Sequence, residues 1–140
     1  MSEDWSVDLS AEEAAQVSQG VNDYGRAQAA GGNARPVSCG CRDEQGRLIA
    51  GAVGRTEFRR LFISHLWVDE AWRGGGIGTE TLRRIEALAL QRGCVDALIE
   101  TLSDRTADWY ERLGYVCMSH VHDFVPGFTR HTLIKVWKAR

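Results

Sequence analysis

The chain has 140 residues, with 17 basic and 19 acidic side chains, a formal net charge of −2, and 44% apolar against 26% charged residues. That length fits one domain spanning residues 1–140 with a proper core, and the near-neutral charge offers no general attraction to nucleic acid or anionic membrane. No apolar run approaches the about 20 residues that cross a bilayer, and the acidic opening Met1-Ser2-Glu3-Asp4 is unlike a signal peptide, so a cytoplasmic protein is expected.

Ser10-Ala11-Glu12-Glu13 combines a capping serine with first-turn acids and predicts a helix running to Ala29 or Ala30. Ala30-Gly31-Gly32-Asn33 ends it, and Pro36 confirms the break. Pro36 to Arg42 alternates as a strand, Asp43-Glu44-Gln45-Gly46 reads as a hairpin turn, and Leu48 to Gly54 as the return strand. Leu61 to Val68 is more continuously apolar and hence central. A charged loop, Asp69 to Arg73, leads into a glycine turn and then a helix from Thr79 to Gln91. In that helix Leu82, Ile85, Leu88 and Ala89 recur at helical spacing, with Arg83, Arg84 and Glu86 opposite. Arg92 and Gly93 close it. Val95 to Leu102 is the next strand, and Ser103 or Asp104 caps a short helix through Leu113, ended by Gly114. Tyr115 to Phe124 and Phe128 to Trp137 form two last strands around Pro126-Gly127. The order predicts an α+β fold with a mixed, mainly antiparallel sheet of six to seven strands flanked by helices.

The most informative segment is Arg73-Gly74-Gly75-Gly76-Ile77-Gly78, between the central strand and its helix. Glycines expose successive backbone N–H groups with no Cβ in the way, and the helix behind adds the positive end of its dipole. Together they form an anion site suited to phosphate or pyrophosphate. A P-loop requires lysine after its last glycine, and the first lysine of this chain is Lys135. A dinucleotide fingerprint requires G-x-G-x-x-G directly after a strand; counted from Gly74 its third glycine falls on Thr79. Asp96 or Glu100 follows at a fitting distance, so a dinucleotide oxidoreductase stays as a distant alternative.

The spacing Arg73-x-x-Gly76-x-Gly78 resembles the acyl-coenzyme A loop of the GNAT acetyltransferase superfamily. Thr106-Ala107-Asp108-Trp109-Tyr110-Glu111-Arg112-Leu113-Gly114-Tyr115 resembles its second signature, one helix and one strand further on. The likeness covers Leu48 to Trp137 well and is nearest to small bacterial members of unassigned substrate, which share Leu66-Trp67-Val68 and Pro126-Gly127-Phe128-Thr129. The resemblance implies acetyl-coenzyme A as cofactor, with its pyrophosphate on Arg73, Gly74, Gly75, Gly76, Ile77, Gly78 and Thr79. Backbone groups around Leu66, Trp67 and Val68 would hold the pantetheine arm and thioester carbonyl. Tyr110 matches the tyrosine that protonates the departing thiolate. Ser103 stands where the family often has a cofactor-contacting asparagine, and Thr106 where it has alanine. Trp109, Asn22 and Tyr24 would lie at the acceptor site. The implied activity is acetyl transfer to a primary amine of a small molecule or protein by direct attack in a ternary complex. A non-catalytic acyl-coenzyme A-binding module is the alternative. A homodimer through the late strands is expected, from the apolar run Phe124-Val125-Pro126-Gly127-Phe128 and the superfamily's habit.

Glu100, ending the strand before the Tyr110 helix, is the first choice of general base, with Glu57, His65 and Asp69 as weaker alternatives. His120 and His122 share one face of a late strand, but the sequence identifies no third ligand and no metal is expected. Cys39-x-Cys41 lacks a second closely spaced pair, so the four cysteines, Cys94 and Cys117 included, read as small buried thiols. Trp5, Trp67, Trp72, Trp109 and Trp137 read as core or interface residues.

Overall fold

A computed structural model describes residues 2–28 and 33–139, so the expected helix end at Ala29 or Ala30 and most of the glycine break after it lie outside the described residues. The chain divides by contact into two units, Met1–Gly32 and Asn33–Arg140. In the first, helix α1 spans Ala11–Gln28. Its start is a capping box: the Ser10 hydroxyl accepts from the Glu13 N–H at 3.1 Å, and the Glu13 carboxylate accepts from the Ser10 N–H at 3.2 Å.

In the second unit the described residues form β1 (Arg35–Arg42), β2 (Leu48–Glu57), β3 (Arg60–Val68), α2 (Ile77–Gln91), β4 (Asp96–Thr101), α3 (Asp104–Arg112), β5 (Val116–Val125) and β6 (Phe128–Val136). They make one six-stranded sheet in the order β1-β2-β3-β4-β6-β5. Only β3 and β4 pair in parallel; the other neighbours are antiparallel. Helix α2 packs on β1, β2 and β3, and α3 on β4, β5 and β6. Ile49, Leu61, Leu82, Ile85, Val95 and Leu133 are the large fully buried side chains.

Two details depart from the sequence expectation. Strand β2 continues past Gly54 to Glu57, because the β2–β3 turn is made by Phe58 and Arg59 at φ 54° and 60°. Two left-handed residues match the strands' twist as a primed hairpin turn does, yet neither is the Gly or Asn that would announce it. Glu86, expected on the polar face of α2, is buried. It accepts from the Tyr115 hydroxyl at 2.7 Å and lies 3.5 Å from the Lys135 ammonium.

The feature that positions a site is the parting of β3 from β4. Their pairing runs from Arg60/Asp96 to Ile63/Ile99 and stops. At that level Val53 pairs with His65 and Gly54 with Ile63, leaving Ser64 as an extra residue. Such a bulge bends its strand. Gly54 is required opposite it, since a Cβ there would lie 2.1 Å from the Phe62 carbonyl oxygen. Beyond the bulge, β3 keeps β2 on one side and, among the described residues, has no strand partner on the other.

Candidate active site

The gap left by the parting strands is a cavity of about 470 Å³. It is lined by Leu66, Trp67 and Val68 of β3, by Trp72, Arg73, Gly74, Gly76, Gly78 and Thr79 around the start of α2, and by Thr106, Trp109 and Tyr110 of α3. On the β3 wall, backbone groups facing away from β2 meet the cavity instead of a neighbouring strand. Unpaired edge groups of this kind seek hydrogen bonds.

The second wall is the glycine turn. Asp69 caps a short 3₁₀ turn, Glu70–Trp72, by accepting from the Ala71 N–H, and its carboxylate pairs with Arg47 at 2.7 Å. These bonds hold the Asp69 acid below the usual carboxylate range, the Ala71 N–H contributing most. The Arg73 Nε–H donates to the Val68 carbonyl at 3.0 Å, fastening the loop to the end of β3. Gly74 and Gly76 have φ of 84° and 86°, and Gly76 caps α2. Residues with a Cβ are strained there, so the turn's shape depends on these two glycines. The N–H groups of Ile77, Gly78 and Thr79 open α2 without intrahelical partners and add the positive end of the dipole. Gly78 acts differently: a Cβ there would lie 3.5 Å from both Val68 and the Trp109 ring. Its hydrogen keeps open the space between β3 and α3. A cradle with these features fits a diphosphate.

Tyr110 closes the inner end. It is 5% exposed, and its ring lies 5.1 Å from that of Trp109 and 5.7 Å from that of Tyr115. Among the described residues no group hydrogen-bonds its hydroxyl. Burial pushes its pKa up to about 12, so the phenol is neutral at physiological pH and holds a proton to donate.

The structure thus gathers Leu66, Trp67, Val68, Arg73, Gly74, Gly76, Gly78, Thr79, Trp109 and Tyr110 around one cavity, with Gly75 and Ile77 completing the turn. Trp72, read only as a core or interface residue, lines the cavity beside Trp67 and Trp109, and Thr106 joins them. Ser103 does not: its hydroxyl accepts from the Thr106 N–H as the α3 cap, and it lines a separate cavity of about 630 Å³ between the end of β4 and the Phe128 turn. Glu100 does not either. Its carboxylate is paired with Arg130 and accepts from the Thr132 hydroxyl at 3.3 Å, away from the cavity lining. His65 lies in another groove with Trp67, Arg42 and Val53. No carboxylate or imidazole is among the lining residues. Asn22 and Tyr24 belong to α1. Of the cysteines, only Cys94 is buried; Cys39 and Cys117 are half-buried and Cys41 is exposed.

Residues 3–115 match the Acetyltransferase (GNAT) family. Over 99 residues the chain is 36% identical to the blasticidin-S acetyltransferase of Streptomyces morookaense, covering 70% of this chain and 71% of that protein. An acetyltransferase crystal structure from Bacillus cereus ATCC 14579 superposes with a TM-score of 0.89 at 26% identity, covering 95% of this chain and 97% of the other. A further chain, from Bacillus anthracis str. Ames in complex with acetyl coenzyme A, shares the fold with a TM-score of 0.66 at 14% identity, over 74% and 63% of the two chains.

Proposed function

The chain belongs to the Acetyltransferase (GNAT) family, and on that premise we propose that it moves an acetyl group from acetyl-coenzyme A to a primary amine. The observation that carries this reading is the shared cavity: a positive-φ glycine turn at a helix start and a buried, proton-bearing Tyr110 face the same space. The cofactor would supply an activated thioester. The N–H groups of Ile77, Gly78 and Thr79 are placed to hold its diphosphate, and the unpaired β3 edge at Leu66–Val68 to hold its extended arm. A main-chain N–H directed at the thioester carbonyl stabilises the charge that develops there, an effect of about 3–4 kcal/mol in measured cases.

Tyr110 would give its phenol proton to the departing thiolate as the amine nitrogen bonds to the acyl carbon and the carbon–sulfur bond breaks. Solvent takes the amine's proton and restores that of Tyr110. From reference pKa values of about 10 and 8.5, the phenol-to-thiolate transfer costs about 2 kcal/mol. Burial raises the phenol further, and partial desolvation beside it would raise the thiol as well, which limits the difference between them. With no base in the cavity, the amine is taken up in its neutral form. Direct attack is favoured because no cysteine lines the cavity. Trp109, on the cavity wall, is the residue proposed to meet the acceptor. Small polar amines are the first acceptors to try, blasticidin S among them, given the 36% identical relative.

The test is a panel of primary amines incubated with acetyl-coenzyme A, read by free thiol and by the mass of acetylated product. Thiol release with one amine and matching product supports the reading. Thermal stabilisation by the cofactor with no product from any amine would instead identify a binding module.

The same proposal includes a homodimer. Strand β5 is a sheet edge whose Val116, Met118, Val121, Phe124 and Val125 are exposed, and an apolar edge invites pairing. Light scattering at tens of micromolar tests it, and a monomeric mass refutes it.

A further inference from the structure

At the far end of the sheet lies a side-chain cluster that acetyl transfer does not use. Strand β5 carries a bulge: Cys117 pairs with Leu133 and Ser119 with Thr132, so Met118 is an extra residue. In a regular strand, residues three apart point to opposite faces. The extra residue removes that alternation and brings Cys117 and His120 together, with Cys117 Sγ 3.5 Å from His120 Nε2 and 3.8 Å from Nδ1. Directly across the β5–β6 pair stands His131, its Nδ1 2.8 Å from His120 Nδ1. The other His131 nitrogen, Nε2, lies 2.7 Å from an Asp104 carboxylate oxygen at the start of α3.

A carboxylate can only accept, so the Asp104 contact favours a hydrogen on Nε2; in the neutral ring that leaves the Nδ1 lone pair on the His120 side. One donor atom from each of Cys117, His120 and His131 falls within 4.8 Å of the others. We propose that these three residues bind a divalent transition ion, zinc foremost, with Asp104 as the outer carboxylate that orients His131. Tetrahedral zinc bonds of about 2.0–2.1 Å to nitrogen and 2.3 Å to sulfur imply donor–donor edges of about 3.3–3.6 Å. His120 Nδ1 lies 2.8 Å from His131 Nδ1 and 3.8 Å from Cys117 Sγ, either side of that range, and the third edge is no longer than 4.8 Å, so small side-chain shifts would close the triangle. A thiolate with two imidazoles suits zinc better than magnesium or calcium, which prefer oxygen. A carboxylate on the far nitrogen of a ligating histidine is the usual second partner of such sites.

Access is provided by His120, exposed at the surface, and by half-buried Cys117, which releases its thiol proton on binding. His122 stays outside the donor set. Its ring stacks 6.3 Å from His120, and its Nδ1 lies 3.3 Å from the Thr129 hydroxyl. Three protein donors leave a fourth position for water. The ion would fasten the β5–β6 hairpin to the start of α3, the helix that carries Trp109 and Tyr110.

The test uses tag-free, chelator-treated protein titrated with zinc and, separately, with cobalt(II). One zinc per chain is expected, with a rise in thermal midpoint and a thiolate-to-cobalt charge-transfer band. Cys117→Ser should remove the band, and His120→Ala should weaken zinc by at least tenfold, while Cys41→Ser leaves both unchanged. Asp104→Asn should weaken zinc by about tenfold, the low end for an outer partner, because this carboxylate is exposed. Zinc uptake unaltered in both Cys117→Ser and His120→Ala, or no stoichiometric uptake by the unaltered chain, overturns the site. The cluster is then only a hydrogen-bonded chain from Asp104 to Cys117.

Discussion

Arg60 grips Asp96 with two hydrogen bonds, Nε to Oδ1 at 2.8 Å and Nη2 to Oδ2 at 3.0 Å. The two residues face each other where β3 and β4 begin to pair, and three residues further on the strands part to form the cavity. The only parallel pairing among the described residues is four residues long, and this half-buried ion pair lies at its base. The same contact raises the Arg60 pKa. The contact thus sits at the base of the two strands whose parting opens the cavity.

Asp96→Ala removes two charge-assisted hydrogen bonds from Arg60, whose side chain is partly open to water. The expected loss is about 1.5–3 kcal/mol. The exposed Arg83–Glu80 pair on α2 is a surface contact worth about 1 kcal/mol or less. Urea unfolding of Asp96→Ala and Arg83→Ala should therefore separate the two clearly. A loss below about 1 kcal/mol for Asp96→Ala would show that the β3–β4 base is held by packing alone.

Gly78→Val tests the cofactor cradle without straining the turn. Gly78 lies in α2 and lacks the positive φ of Gly74 and Gly76, so valine is compatible with its backbone. Its added methyl groups enter the space between Val68 and Trp109. Calorimetry should show acetyl-coenzyme A affinity reduced at least tenfold in a protein whose circular dichroism is unchanged. Unchanged affinity in the folded variant would sink the cavity as the cofactor site.

Glu100→Gln separates the sequence's choice of base from the structure's. Because Glu100 is tied to Arg130 outside the cavity lining, the variant should keep the pH profile of kcat/KM. The rising limb should instead follow the pKa of the acceptor amine, shifting when a more or less basic amine is used. A profile that loses its rising limb in Glu100→Gln would restore a carboxylate base.

Much of this was legible in the chain, and the misses share physical causes. The glycine spacing and the Trp109-Tyr110 run are local patterns, and local patterns survive without a structure. The long β2 was missed because Phe58 and Arg59 take left-handed conformations that favour other residues. Buried Glu86 was missed because its partners, Tyr115 and Lys135, lie 29 and 49 residues away. The Cys117–His120–His131 cluster depends on a bulge and a cross-strand register, neither of which spacing reveals. Glu100 looked like a base because it ends a strand beside the Tyr110 helix; Thr132 stands across from it on β6, and Arg130, two residues away, pairs with its carboxylate.

The most direct measurement compares Tyr110→Phe with the unaltered protein, recording kcat and acetyl-coenzyme A affinity side by side. Only the hydroxyl is removed, so the ring's packing against Trp109 and Tyr115 survives and affinity should stay within about twofold. A general acid contributes about 10²–10⁴-fold, and its loss falls on kcat because the proton moves only as the thiolate departs. The account predicts a kcat lowered at least a hundredfold with affinity unchanged. A kcat within about threefold of the unaltered protein would contradict it and leave Tyr110 a packing residue.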